Sequence, residues 1–100
     1  YSTAKAAIIA LAKNMARKLS SVRINVIAPG NVYFKGGAWD QKIMNEPIAV
    51  ENLIKSSVPM NRFALPEEIA DSIIFLCSNR SNFITGATLV VDGGQTVGVY

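Results

Sequence analysis

A tyrosine and a lysine four residues apart open the sequence, in the stretch YSTAKAA. Residues at this spacing share one face of a helix, so Tyr1 and Lys5 are predicted to direct their polar ends into one cleft. A phenol has a pKa of about 10, and a neighbouring ammonium lowers that pKa because it stabilises the phenolate. Such a pair can exchange a proton with the oxygen of a carbonyl or an alcohol. The alternative is a tyrosine that merely starts a helix and a lysine on its surface.

The residues after this pair predict a helix, a strand and a long loop. Apolar residues recur at three- and four-residue steps, which predicts a helix over 3–19. The β-branched run VRINVIA predicts a largely buried strand over 22–28, closed by Pro29 and Gly30. Residues 31–59 contain two glycines, a proline and scattered aromatic residues. We therefore expect an excursion there with one or two short helices, of the kind that often carries function.

A second helix and a second strand follow this excursion. Pro66 suits a first helical position, and the acidic residues after it suit the positive end of the helix dipole, which predicts a helix over 66–78. The run ATLVVD predicts a strand over 87–92, followed by a structural turn at the two glycines of DGG. When a helix connects two apolar strands, the strands usually lie side by side and run parallel, so a parallel pair is predicted here.

Two strands are too few for a stable sheet, and the second helix is apolar on every side. The fold class predicted from these elements is α/β, as the C-terminal part of a doubly wound parallel-sheet, Rossmann-like domain. On this interpretation the N-terminal cofactor-binding half is absent from the sequence, and the chain is a fragment of a larger protein.

Composition narrows the function classes. The 100 residues are 50% hydrophobic and 17% charged, which is typical of a globular protein, and cytoplasm is the default location. No apolar run approaches the roughly 18 residues of a membrane span, so no membrane role is predicted. The net charge is +3, but the basic residues of the first helix are predicted on its solvent face without interleaved aromatic residues. Nucleic-acid binding is therefore not favoured.

The sequence has no histidine and a single cysteine, Cys77. An internal disulfide is excluded, and the usual zinc and triad constellations are not available, so no metal site is predicted. The apolar neighbours of Cys77 in SIIFLC predict a buried side chain rather than a nucleophile.

Five blocks, in order, resemble the second half of the short-chain dehydrogenases/reductases. They are YSTAKAA, VRINVIAPG, PMNRF, PEEIA and ITGATLVVDGG, and they extend over nearly the whole chain. Within that family the sequence is most similar to the classical, acyl-carrier-protein-reductase-like type. A Tyr–Lys spacing alone would be a weak signal, whereas five ordered blocks are a strong one.

The resemblance implies an NAD(P)-dependent oxidoreductase that interconverts a carbonyl and an alcohol by hydride transfer. It implies that Tyr1 is the general acid/base, and that Lys5 activates it and contacts the nicotinamide ribose. It further implies a small-molecule carbonyl or alcohol substrate and a homo-oligomer, tetramer or dimer. The resemblance also implies NAD or NADP as the cofactor, and the residues that would choose between the two are not in this sequence.

A second predicted site element follows the first strand. Doubly wound folds bind ligands at the carboxyl ends of parallel strands, where Pro29, Gly30, Asn31 and Val32 are predicted to lie. The resemblance implies that these four residues contact the nicotinamide, with the backbone of Val32 meeting its carboxamide. A simple turn that ends the strand is compatible with this role.

The sequence departs from the family pattern at two positions. Phe34 stands where many members carry a cofactor-contacting threonine, and Asn61 replaces a common glycine before Arg62. A set of mostly aromatic residues near Phe34 has two possible roles. The residues line an apolar substrate pocket, or they only pack the segment 31–59 against the domain. The set comprises Tyr33, Phe34, Trp39 and Met44, with Ile43 beside them.

A rival interpretation keeps the fold but not the chemistry. The chain would then be a catalytically silent segment that serves packing or oligomerisation. The apolar stripe of the first helix and the hydrophobic last strand are compatible with that role.

Overall fold

The structure, a computed structural model, describes residues 2–98. Its helices are α1 (Ser2–Lys18), α2 (Ala38–Asn45), α3 (Pro47–Ser57) and α4 (Pro66–Cys77), with a 3-10 turn at Asn79–Ser81. Its strands are β1 (Val26–Pro29) and β2 (Thr88–Val91). The two short helices of the excursion are α2 and α3, and α3 begins at a proline, whose missing N–H would have no helical partner at that position.

The two strands form a parallel pair in which Val26 aligns with Thr88 and Pro29 with Val91. The chain returns from β1 to β2 through α2, α3 and α4, so the parallel strands flank a helical crossover. This arrangement confirms the predicted α/β class with a parallel sheet.

The first strand is shorter than predicted, because β1 begins at Val26 rather than at position 22. The two preceding residues bind the loop before β2 instead. The N–H of Ile24 donates to Thr85 Oγ1 over 3.0 Å, and the side chain of Asn25 bonds the carbonyl of Ile84 and the N–H of Ala87. The side chain of Asn25 thus takes the place of hydrogen bonds between the strands at this point. The strand β1 is also half-buried, rather than largely buried as its sequence predicts.

Arg23 ties the end of α4 to this loop. Its Nη1 donates to the carbonyl oxygen of Leu76 over 2.8 Å and to Ser81 Oγ over 3.1 Å, and its Nη2 donates to the carbonyl of Ser78. Carbonyls at a helix end have no helical partner, and here the guanidinium satisfies them together with Ser81, whose hydroxyl donates to the Leu76 carbonyl and whose N–H donates to the Ser78 carbonyl. Ser81 is 1% exposed and is the buried centre of the cluster.

Few apolar side chains are buried within residues 2–98. Those that are buried are Ala16, Val50, Val58 and Leu76. Cys77 is exposed, so its predicted burial is wrong within this structure. The reason is that the described residues pack against only one face of α4, the face that carries the buried Leu76. The other faces are apolar too, and their residues Ile73, Ile74 and Phe75 are exposed.

Left-handed backbone occurs at the two turns for which the sequence made a prediction. Gly93 and Gly94 have φ of 62° and 89°, which confirms a glycine turn after the last strand. Asn61 has φ of 58° and is the one non-glycine residue with positive φ in the described part of the chain. Asparagine tolerates this region better than most residues, which explains why it stands where glycine is common. Over the described range, no helix is both long and apolar enough to span a bilayer.

Candidate functional site

The carboxyl ends of β1 and β2 lie side by side and form the floor of the candidate site. The N–H of Gly30 donates to the carbonyl of Val91 over 2.9 Å and continues the ladder one residue beyond β1. Asp92 then closes the turn after β2, because its carboxylate accepts from the N–H of Gly94 over 3.0 Å and from the N–H of Thr96 over 2.7 Å. Hydrogen bonding by the Thr96 side chain, and then by the N–H groups of Thr96 and Gly94, holds the pKa of Asp92 below its usual value.

The segment after β1 is held by residues 63–65. Val32 and Ala64 form an isolated parallel bridge, in which Tyr33 N–H donates to the Ala64 carbonyl and Ala64 N–H donates to the Asn31 carbonyl, both over 2.9 Å. In an extended chain successive peptide groups alternate sides, so the N–H and C=O of Val32 itself face away from Ala64. Neither group has a hydrogen-bond partner within residues 2–98.

The predicted catalytic pair is only partly described. Tyr1 lies outside the described residues. Lys5 lies near the start of α1 with an exposed side chain. Further along, Lys13 Nζ donates to the carbonyl of Gly86 over 3.1 Å, and a Cβ on Gly86 would stand 3.3 Å from the Cβ of Ala16. The helix that carries Lys5 is therefore fixed to the loop that precedes β2.

Asp40 fixes the chain beyond Val32. Its carboxylate accepts from Tyr33 Oη and from the N–H of Gly36, each over 2.9 Å. The bond from Gly36, then that from Tyr33, lowers the pKa of Asp40. The hydrogen bond to Asp40 raises the pKa of the Tyr33 phenol, because a phenolate there would face a carboxylate.

A wide groove of about 470 Å³ opens beside this segment. Its lining is mainly apolar, and the two charged residues in it, Arg62 and Glu68, form an ion pair with each other. The complete lining is Tyr33, Ile43, Arg62, Phe63, Leu65 and Glu68. The arrangement suits an uncharged, apolar group better than a charged one.

The predicted substrate residues divide between this groove and its supports. Tyr33 and Ile43 line it. Trp39 packs against Phe63 with ring centroids 4.9 Å apart and lies under Lys42, whose Nζ is 4.7 Å from the ring centre. Phe34 covers Gly37, where a Cβ would stand 2.7 Å from the ring, and Met44 is 77% exposed. Phe34, Trp39 and Met44 are not among the lining residues.

Sequence reasoning missed Phe63 and Leu65 as lining residues. They belong to the PMNRFALPEE stretch, in which the sequence predicts only the start of a helix at Pro66. The pairing of Ala64 with the residues around Val32 brings them to the site, and this pairing joins positions about thirty residues apart. No periodic signal in the sequence encodes such a contact.

Arg62 and Glu68 separate the groove from a second, smaller cleft. Arg62 Nη1 and Nη2 donate to Glu68 Oε1 and Oε2 over 2.6 and 2.8 Å, and Oε1 also accepts from the N–H of Leu65 over 3.0 Å. Arg62, then Leu65, lowers the pKa of Glu68 from 4.5 to about 2. The cleft beyond the pair has a volume of about 100 Å³ and reaches Asn31 and Asp92.

Metal-binding chemistry has no support in the part of the chain that the structure describes, where no group of three acidic, cysteine or histidine side chains comes together. The polar atoms near the carboxyl ends of the strands are instead backbone donors and acceptors. Such groups suit a flat, neutral heterocyclic amide.

The family model described as enoyl-(acyl carrier protein) reductase matches residues 1–96. An uncharacterised oxidoreductase of Schizosaccharomyces pombe is 39% identical over 100 residues, which are 98% of this chain and 38% of that protein. The chain thus spans less than two fifths of the length of this relative. That the matched part is the C-terminal one stays a prediction from the order of the motifs.

Solved structures have the same fold. A 4-hydroxyisoleucine dehydrogenase complexed with NADH is 32% identical with a TM-score of 0.78, over 97% of this chain and 38% of that one. An NADPH-bound short-chain oxidoreductase of Pseudomonas aeruginosa, described as containing an atypical catalytic centre, is 29% identical with a TM-score of 0.84, over 98% and 39% of the two chains. Relatives thus bind NADH or NADPH, and this chain belongs to the short-chain dehydrogenase/reductase family.

Proposed function

We propose that this chain acts within a longer polypeptide as part of an NAD(P)-dependent oxidoreductase that interconverts a carbonyl and an alcohol. The observation that carries the proposal is the backbone N–H and C=O of Val32, which have no partner within residues 2–98 and lie just beyond the carboxyl end of a parallel strand. The N–H of Val32 can donate to the oxygen of a carboxamide, and its C=O can accept from the NH2 group of the same carboxamide. The nicotinamide ring carries such a carboxamide.

The residues around Val32 fit a flat ring. Gly30 has no side chain, and a Cβ there would stand 2.8 Å from Asp92, so the chain is compact at this point. Pro29 ends β1 in a fixed conformation. Pro29, Gly30, Asn31 and Val32 would hold the nicotinamide end of the cofactor, which when bound supplies or accepts a hydride.

Proton transfer would fall to Tyr1. Its phenol would donate a proton to the carbonyl oxygen during reduction and take it back during oxidation. The ammonium of Lys5, one helical turn away, would stabilise the phenolate and orient the cofactor ribose. This part of the proposal depends on the Tyr–Lys spacing and the family membership.

The groove formed by Tyr33, Ile43, Phe63 and Leu65 would receive the substrate side chain. Its charges are paired with each other, so an uncharged apolar substituent is favoured over a carboxylate. Tyr33 is oriented by Asp40, which gives that wall a fixed shape. The substrate class proposed is therefore a small ketone or secondary alcohol with an apolar group.

A packing role has independent support and is compatible with catalysis. Large apolar residues of α1 and α4 are exposed within this structure, among them Ile8, Leu11, Met15, Ile73 and Ile74. Patches of this kind are typical of surfaces that pack against more protein. We propose that they contact the rest of the polypeptide and a second subunit, and light scattering that finds a monomer would argue against the second contact.

The test is oxidation of NADH and NADPH by the full-length protein in the presence of ketones with apolar or carboxylate substituents. We expect turnover with apolar ketones and a weaker response to carboxylates. Phe63→Ala should raise the KM for apolar ketones several-fold and leave the Kd of the cofactor unchanged. Absence of turnover with every ketone, with folded protein and either cofactor, would favour the catalytically silent alternative.

A further inference from the structure

One carboxylate holds the segment that supports Val32. Glu68 accepts two hydrogen bonds from the Arg62 guanidinium and one from the N–H of Leu65, so it grips both ends of residues 62–65. Arg62 also donates to the carbonyl of Phe63 over 3.2 Å. A planar fork on a carboxylate fixes direction as well as distance. One carboxylate therefore holds the first side chain and the last N–H of this four-residue segment.

The same segment is paired with the candidate cofactor site. Between its two fixed ends lies Ala64, whose N–H and C=O bond the carbonyl of Asn31 and the N–H of Tyr33. These two bonds decide which way the peptide groups of Val32 face. A chain of direct contacts thus runs from Glu68 through Arg62 and Leu65 to Ala64, and from Ala64 to the residues on either side of Val32.

We infer that Arg62 and Glu68 are positioning residues, which orient the Val32 backbone toward the nicotinamide end of the cofactor. This inference rests on the proposed function of Val32. It assigns the pair a role that its stability contribution alone would not explain, because both side chains are substantially exposed, at 49% and 39%. Exposed ion pairs usually add little to the stability of a fold.

The chain contains a matched control. Lys55 and Glu51 form an ion pair of 3.0 Å on one face of α3, with exposures of 67% and 63%. That pair links residues of the same helix and touches neither cleft. Its loss removes an exposed ion pair without disturbing residues 62–65.

The test compares two ligands of the full-length protein. NAD(P)H contains the nicotinamide, whereas ADP-ribose, or its 2′-phosphate, has the adenosine and phosphates without it. Glu68→Gln should weaken NAD(P)H binding about tenfold and leave ADP-ribose binding unchanged, since only the nicotinamide end meets Val32. Glu51→Gln should change neither dissociation constant. Titration calorimetry measures all of them.

A second variant guards against a loss of folding. Arg62→Lys keeps the charge but lacks the fork, so it should weaken NAD(P)H binding by a smaller factor with ADP-ribose again unaffected. Equal weakening of both ligands, or no change in either, would overturn the inference while the proposed function stands. If the wild-type protein bound NAD(P)H no more tightly than ADP-ribose, the proposed function of Val32 and this inference would both be overturned.

Discussion

Gly30 lies directly against Asp92, at the point where the two parallel strands end. A Cβ on Gly30 would stand 2.8 Å from the Cβ and 2.9 Å from the Cα of Asp92. Neither atom is the free end of a flexible side chain, so a larger residue at position 30 must move the backbone. The two strand ends can approach this closely at the candidate nicotinamide site because position 30 has no side chain.

Gly30→Ala should therefore destabilise the protein and weaken cofactor binding. Overpacking at a site of this kind typically costs about 1–3 kcal/mol in the free energy of unfolding. Urea denaturation and NAD(P)H titration of the full-length protein measure the two effects. Gly98→Ala is the matched control, because the nearest heavy atom to its added Cβ is 3.9 Å away. Equal stability of the two variants would show that position 30 is not crowded.

The left-handed backbone at Asn61 predicts that two substitutions there differ in their effect on stability. Its φ of 58° disfavours residues with a Cβ other than asparagine and aspartate. Asn61→Ala should lower the free energy of unfolding by about 1 kcal/mol, whereas Asn61→Gly should leave it unchanged or slightly raised.

A helical asparagine serves as the control for this pair. Asn52→Ala, in the exposed middle of α3, should be neutral or stabilising, because alanine is the better helix former. Thermal unfolding of the three variants ranks them. A loss at Asn61→Gly as large as at Asn61→Ala would contradict the account of this turn.

The stability contributed by Glu68 should depend on pH in the acid range. Its pKa is lowered from 4.5 to about 2, so the folded state favours the carboxylate. The contribution is complete above the unfolded value of about 4.5 and is lost as the pH falls toward 2. The difference in unfolding free energy between wild type and Glu68→Gln should therefore be constant from neutral pH down to about pH 5 and shrink below it. A constant difference down to pH 2 would contradict the ion pair.

Tyr33 should titrate above the usual pKa of a tyrosine, since its hydroxyl donates to Asp40. Its stabilising contribution is present below pH 10 and is lost as the pH rises through the raised value. Carbon-13 NMR of the phenol carbon follows this titration directly. Asp40→Asn should bring the pKa of Tyr33 down, and an unchanged titration would show that the hydrogen bond does not form in solution.

The sequence was most informative where structure is local. The apolar steps of α1, the proline that starts α4 and the glycines after β2 each have a short-range physical cause, and the parallel pairing follows from two apolar runs with a helical crossover. The start of β1 was predicted too early because Asn25 and Ile24 bond the loop before β2, a contact across some sixty residues.

The candidate site divides in the same way. Pro29 to Val32 could be placed from their position after a strand, whereas Phe63 and Leu65 come to the groove through the bridge between Val32 and Ala64. The exposure of Cys77 has another cause. An apolar helix in a sequence indicates that other residues cover its surface, but it does not indicate which part of the protein supplies them.

Single-turnover hydride transfer, compared between the full-length protein and its Tyr1→Phe variant, decides whether Tyr1 is the proton donor. We expect the variant to lose at least about a hundredfold in rate, because its general acid is removed, and to keep the wild-type Kd for NAD(P)H. Hydride transfer in Tyr1→Phe at the wild-type rate would contradict the assignment of Tyr1 as the proton donor.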